Sequence, residues 1–149
     1  MELYSSENPV FSGYAFYASI LILKMILMSA FTGYTRYKKK AFVNTEDAQI
    51  ANATIKNTDE DVERIRRAHQ NDVENIPIFL VAGLLFVAAD PNVVFALMVF
   101  RLFTVSRIAH TLVYSVFVVR QPARAVAFGL ATSLLLIVVV ILMISFPQL

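Results

Sequence analysis

Four long apolar stretches divide the chain, and each is long enough to cross a membrane as a helix. They lie at about 11–35, 72–90, 93–119 and 123–146. A bilayer core about 30 Å thick needs about 20 apolar helical residues, and runs of this length favour helices over strands. The pattern predicts an all-α integral membrane protein, with four transmembrane helices in a single domain spanning 1–149.

Short polar segments separate the predicted helices. Asp90-Pro91-Asn92 predicts a tight turn, and Gln121-Pro122 predicts a break, because proline cannot continue a helix. The polar stretch at about 36–61 predicts a loop that leads into the second helix. Within it, Asn44–Asp47 resembles a helix start, Ile50–Asn57 predicts a loop, and acidic residues from Asp59 suit a helix N-terminus.

Composition excludes several classes of protein. With 58% hydrophobic and 16% charged residues, a soluble globular protein is excluded. The absence of cysteine removes disulfides and thiolate sites, and the two histidines cannot build a multi-histidine metal site. The net charge of +2 is too small to indicate a nucleic-acid partner. We therefore expect no metal and no nucleic acid.

Positive charge lies in two of the connections. Of the 13 Lys and Arg residues, eight lie between the first two spans, from Arg36 to Arg67, and Arg120 and Arg124 lie between the last two. The positive-inside bias predicts that both connections are cytosolic and both termini lumenal. The first ten residues contain no basic residue, so we expect no cleaved signal peptide.

Polar side chains at helical spacing mark the second and third spans. They are Arg67, Asn71 and Glu74 in the second, and Arg107, His110 and Tyr114 in the third. Ionisable groups at membrane depth usually face a bundle interior or a wet cavity. One interpretation is a cytosol-facing cavity for a small anion, with Glu74 pairing an ammonium group. The other is a purely structural network.

Isolated charges have simpler interpretations. We expect Lys24 to form a structural ion pair, for example with Asp72, rather than to contact a ligand. His110 taken alone suits a buried interior histidine, and we assign no role to Arg101.

The segment Glu63–Asn75 resembles the ERxRRAHxNDxEN signature of the MAPEG family, the membrane-associated proteins of eicosanoid and glutathione metabolism. Lys40–Asp47, Arg107–Tyr114 and Gln121–Ala125 are similar to further family motifs in the same order. The resemblance covers roughly Val10 to Leu134. It is greatest to the branch of glutathione transferases and prostaglandin E synthases.

The resemblance implies a homotrimer that binds glutathione between neighbouring subunits at its cytosolic end. Arg36 would reach in from the adjacent subunit, and Arg124 would be the catalytic residue that stabilises the thiolate. The glutathione-binding residues implied by position are Arg36, Arg66, Arg67, His69, Asn71, Glu74, His110, Tyr114 and Arg124.

The same resemblance implies a microsomal enzyme of the endoplasmic reticulum membrane, with the mitochondrial outer membrane as a second location. Its expected activity is conjugation of glutathione to lipophilic electrophiles, with reduction of lipid hydroperoxides as a second reaction. The alternatives are a glutathione-dependent prostaglandin E synthase and a non-catalytic tetraspan binding protein. Ala125 and Phe128 replace the synthase's serine and tyrosine, and Ala48 replaces the transferase's reactive cysteine. The first two changes favour conjugation over isomerisation.

Overall fold

The computed structural model describes residues 2–56 and 59–147 and folds them into a bundle of long helices. The third long helix ends in one π-helical turn, Leu112–Val116. The α-helices are α1 (Pro9–Lys39), α2 (Thr45–Ile50), α3 (Glu60–Ala88), α4 (Val93–Thr111) and α5 (Ala123–Ser145).

Four of these helices are long and apolar enough to cross a membrane: α1, α3, α4 with its π-helical turn, and α5. The prediction of an all-α membrane protein with four spans is confirmed. We call the end of the bundle near Pro9, Ala88 and Val93 the turn end. The opposite end, where α1 stops and α3 begins, is the loop end.

Two predicted boundaries differ from the structure. Helix α1 continues to Lys39, past the predicted loop start at 36, and stops where Lys40 adopts a left-handed φ of 48°. The third span ends at Val116 rather than 119, and Val118 there has a φ of 46°. A left-handed residue cannot continue a right-handed helix, which explains both endings. Residues 57 and 58 of the predicted loop lie outside the described residues.

Polar side chains cap the helix starts. The Asn8 Oδ1 accepts a hydrogen bond from the Val10 amide at 2.9 Å. At the start of α3, the Asp59 carboxylate accepts hydrogen bonds from two backbone amides, as the acidic pattern predicts. A hydrogen bond from Lys56 lowers the pKa of this Asp59 carboxyl below its usual range. At the predicted turn, the Asn92 side chain accepts from the Phe95 amide at 3.2 Å.

The half of the bundle at the turn end is an apolar core of aromatic rings. Phe79 of α3 stacks on Phe103 of α4, with ring centroids 3.7 Å apart, and meets Phe100 edge-on. All three are buried. On the outer surface Arg101 donates from Nε to the Tyr17 hydroxyl at 2.9 Å, and joins α4 to α1.

The half at the loop end has a buried ionic cluster at its centre. Asp72 of α3 accepts a hydrogen bond from Arg107 Nη2 at 2.6 Å and forms an ion pair with Lys24 of α1. The predicted Lys24–Asp72 pair is therefore confirmed. The Asp72 and Arg107 side chains have no solvent exposure. The Thr111 hydroxyl lies 3.4 Å from the second Asp72 oxygen. One carboxylate thus joins three helices.

We expect Asp72→Asn to destabilise the protein by about 3–5 kcal/mol, because it leaves buried cations without their counter-ion. Asp90→Asn makes the same charge change at the exposed turn, where asparagine tolerates the left-handed φ of 47°. Thermal unfolding of both variants in the same detergent measures the difference. Equal unfolding temperatures would show that the carboxylate does not hold the helices together.

Candidate functional site

A polar cleft of about 400 Å³ opens at the loop end between α3, the π-helical turn and α5. We call it the arginine cleft. Helix α3 contributes two of its side chains, the end of α4 and the π-helical turn contribute two, and the segment from 121 to 128 contributes the rest. The lining residues are Arg67, Asn71, His110, Tyr114, Gln121, Arg124, Ala125 and Phe128.

Tyr114 is the common contact of this cleft. Its hydroxyl accepts a hydrogen bond from Arg67 Nε at 3.2 Å. The guanidinium carbon of Arg124 lies 4.5 Å from the centre of the phenol ring, a cation–π contact. The His110 imidazole stacks on the same ring with centroids 5.7 Å apart. One aromatic side chain therefore orients two guanidinium groups and an imidazole.

The charge lining the arginine cleft is positive. Arg67 and Arg124 line it, and no carboxylate among the described residues does so. Below it lies the ionic cluster, in which Lys24 and Arg107 face the single carboxylate of Asp72. Guanidinium groups bind carboxylates in a bidentate manner, and a nearby cation lowers the pKa of a ligand thiol. The cleft is suited to an anion.

A second cleft of about 500 Å³ lies between α1 and α3. Arg36 and Arg66 line it together with His69, and Arg67 lines both clefts. Arg66 donates to the Glu63 carboxylate at 2.8 Å. The Nε of Arg36 is buried and has no hydrogen-bond partner within the described chain.

The predicted site residues thus fall into two groups and one outlier. Helical spacing placed Arg67 and Asn71 on one face and His110 and Tyr114 on another, and the structure brings these four together with Arg124. Arg36, Arg66 and His69 line the second cleft. Glu74 lines neither cleft; it is exposed and accepts a hydrogen bond from Gln70 at 3.2 Å.

Arg107 takes one of the two predicted places. A bundle interior and a wet cavity were both open to it, and it is fully buried beneath the cleft and bonds to Asp72 and Asn71. Spacing on one helix cannot show this, because the direction of a guanidinium depends on the helix opposite.

Sequence reasoning also missed Gln121, which lines the cleft. Its Oε1 accepts a hydrogen bond from the Ala125 amide at 3.3 Å, at the start of α5. No sequence signal marked this contact, because glutamine is not a usual capping residue and Pro122 occupies the N-cap position of α5. The π-helical turn that carries Tyr114 likewise has no signal in the sequence.

Comparisons with known proteins match one family, and each match covers most of the chain. The sequence profile of the MAPEG family matches residues 14–144. Microsomal glutathione S-transferase 1 of Sus scrofa is 43% identical over 130 residues, which cover 83% of each chain. The protein of the same name from Homo sapiens is 43% identical over 128 residues, covering 82% of this chain and 81% of that one. Prostaglandin E synthase of Homo sapiens is 38% identical over 126 residues, covering 84% of this chain and 82% of that one.

We expect an arginine-specific dicarbonyl reagent to modify Arg67 and Arg124 in the folded protein and to leave Arg107 unmodified. Arg67 is exposed and Arg124 is half-buried, whereas Arg107 has no exposed surface. Peptide mass spectrometry after brief labelling measures each site. Denatured protein, in which all three react, is the control. Modification of Arg107 at the rate of Arg67 would contradict its burial.

Proposed function

The chain belongs to the MAPEG family, and from that premise we propose that it is a membrane-bound glutathione S-transferase acting on lipophilic electrophiles. The observation that carries the proposal is the pair of guanidinium groups, Arg67 and Arg124, which contact one phenol ring in a cleft that no acidic residue of the described chain lines. This geometry suits a ligand with several acidic groups.

Glutathione matches the chemistry of the cleft and its surroundings. It carries two carboxylates, which suit guanidinium forks, and a thiol that reacts once it is ionised. It also carries an ammonium group. Glu74, exposed and without an ion pair among the described residues, carries the negative charge that would pair with this ammonium group.

Arg124 is our candidate for thiolate stabilisation. It is the second residue of α5, and its contact with the Tyr114 ring holds it at the cleft rather than in lipid. The cation favours the charged form of a nearby thiol, so the proton is released to solvent. The thiolate sulfur then forms a bond to the electrophilic carbon, and the leaving group departs with its electron pair.

The second substrate would enter from the bilayer. Phe128 lines the cleft and is partly exposed. Its ring would give a lipophilic electrophile, or a lipid hydroperoxide, an apolar surface beside the thiolate.

A homotrimer would complete the site. Arg36, Arg66 and Glu74 lie outside the arginine cleft of their own protomer. A neighbouring copy could present such residues to the same ligand, as the family resemblance implies for Arg36.

The protein is a multi-pass membrane protein, and we propose that it resides in the endoplasmic reticulum with its loop end in the cytosol. The support is the basic loop between α1 and α3, together with the microsomal relatives.

Prostaglandin E synthase activity is the second candidate function. The similarity to that enzyme is substantial, at 38% identity. Ala125 and Phe128, which line the cleft, carry no hydroxyl group to polarise a thiol or an endoperoxide oxygen. Conjugation needs no such hydroxyl, which is why we place it first. A non-catalytic tetraspan protein would not need the arrangement of Arg67, Tyr114 and Arg124.

The first test separates thiolate stabilisation from positioning. In the wild type, ultraviolet thiolate absorbance should show that bound glutathione ionises at a lower pH than free glutathione. Arg124→Ala should raise the pKa of the bound thiol to that of free glutathione. Arg124→Lys should give an intermediate pKa, since lysine keeps the charge but not the planar fork. Each unit of pKa is about 1.4 kcal/mol. Lost activity with an unchanged bound-thiol pKa would make Arg124 a positioning residue, and no bound glutathione at all would contradict the proposed function.

The second test addresses reaction specificity. The double variant Ala125→Ser, Phe128→Tyr should gain endoperoxide isomerisation while it keeps aryl-halide conjugation, because it adds two hydroxyl groups to the cleft. Thr132→Ser, one helical turn beyond Phe128, is the matched control. An unchanged isomerase rate in a folded double variant would place specificity elsewhere.

The third test addresses orientation. Protease added outside sealed microsomes should cut within Lys38–Lys56 and leave tags at both termini intact. Detergent-opened vesicles, in which the tags are digested, are the control. Digestion of a terminal tag in sealed vesicles would contradict a cytosolic loop end.

A further inference from the structure

The ionic cluster touches the arginine cleft at one side chain, Asn71. Arg107 Nη2 donates two hydrogen bonds, one to Asp72 Oδ1 at 2.6 Å and one to Asn71 Oδ1 at 2.7 Å. Asp72 and Arg107 are fully buried, whereas Asn71 lines the cleft. A buried charge pair is therefore bonded directly to a side chain at the candidate site.

The chemistry of Arg107 settles which way the Asn71 amide points. A guanidinium group has only donors, so the Asn71 atom that faces it must be the carbonyl oxygen. The amide nitrogen then lies on the other side, and none of the described residues accepts a hydrogen bond from it. Asn71 consequently offers N–H donors to an occupant of the cleft.

We infer that Asp72 and Arg107 are positioning residues for ligand binding, which hold the Asn71 amide with its donors directed at an acceptor on the bound anion. The inference rests on the proposed function, because it assigns the acceptor to glutathione. Asp72 holds Arg107 through an ion pair, and Arg107 fixes the Asn71 amide through a hydrogen bond to its oxygen. Lys24 balances the charge of Asp72 from the opposite side.

A free asparagine side chain would rotate, and half of its orientations would present an oxygen to the ligand. An amide oxygen repels a carboxylate or thiolate, whereas the amide N–H groups bind it. When the Asn71 amide is fixed before the ligand arrives, the unfavourable orientation is no longer populated, and the entropy cost of binding is lower. The buried cluster therefore affects affinity without contacting the ligand.

A double-mutant cycle between Arg107 and Asn71 tests the inference by glutathione titration. Arg107→Lys keeps the positive charge near the cleft but shortens the reach to Asn71. We expect it to weaken glutathione binding about tenfold in the wild-type background and less than twofold in an Asn71→Ala background. The kcat at saturating glutathione should change little, because the effect is on binding.

Equal losses in both backgrounds would show that Arg107 does not act through Asn71 and would overturn the inference. Tyr17→Phe is the control, since it removes a hydrogen bond from an arginine of α4 to a different helix, α1, and neither partner lines the cleft; it should bind glutathione as the wild type does. A wild type that binds no glutathione would contradict the proposed function instead.

Asn71→Asp gives a second test if Arg107→Lys fails to fold. The carboxylate keeps an acceptor for Arg107 but presents an acceptor, not a donor, to the ligand. We expect an unfolding temperature equal to or above that of the wild type and glutathione binding at least about tenfold weaker. Unimpaired binding by this folded variant would overturn the inference.

Discussion

A single buried carboxylate organises the half of the bundle at the loop end. Charged groups are costly inside a membrane, and they persist there when they pair with one another. Asp72 on α3 is reached by Lys24 from α1 and by Arg107 from α4. Because each helix contributes one member, the rotation and depth of all three are set together. The arginine cleft then lies directly above this junction.

The four spans and the Lys24–Asp72 pair could be predicted because they depend on composition and on the cost of an unpaired charge. Helical spacing was enough to place Arg67 and Asn71 on one face. Spacing did not predict that Arg107 turns inward, since that depends on Asp72 of the neighbouring helix. The left-handed Val118 and the π-helical turn that contains Tyr114 also have no pattern that a sequence reveals.

Tyr114 and Asp72 have complementary roles in the site. The phenol ring contacts Arg67, Arg124 and His110, which line the cleft. The buried carboxylate holds Arg107, which is bonded in turn to the cleft residue Asn71. Cations that would repel one another in isolation are thus held at fixed positions, as the proposed anion site requires.

The continuity of α3 has a consequence for the lipid environment. One helix carries both the aromatic core around Phe79 and the cleft residues Arg67 and Asn71, so the cleft stands at a constant height above the core. Asn71 is 17 residues from the turn-end terminus at Ala88, about 26 Å along the helix. The hydrocarbon thickness of a bilayer is about 30 Å and differs by a few Å between organelles. A thicker bilayer would surround more of the cleft with hydrocarbon and a thinner one would expose it to water, so lipid composition would set the polarity around the proposed site.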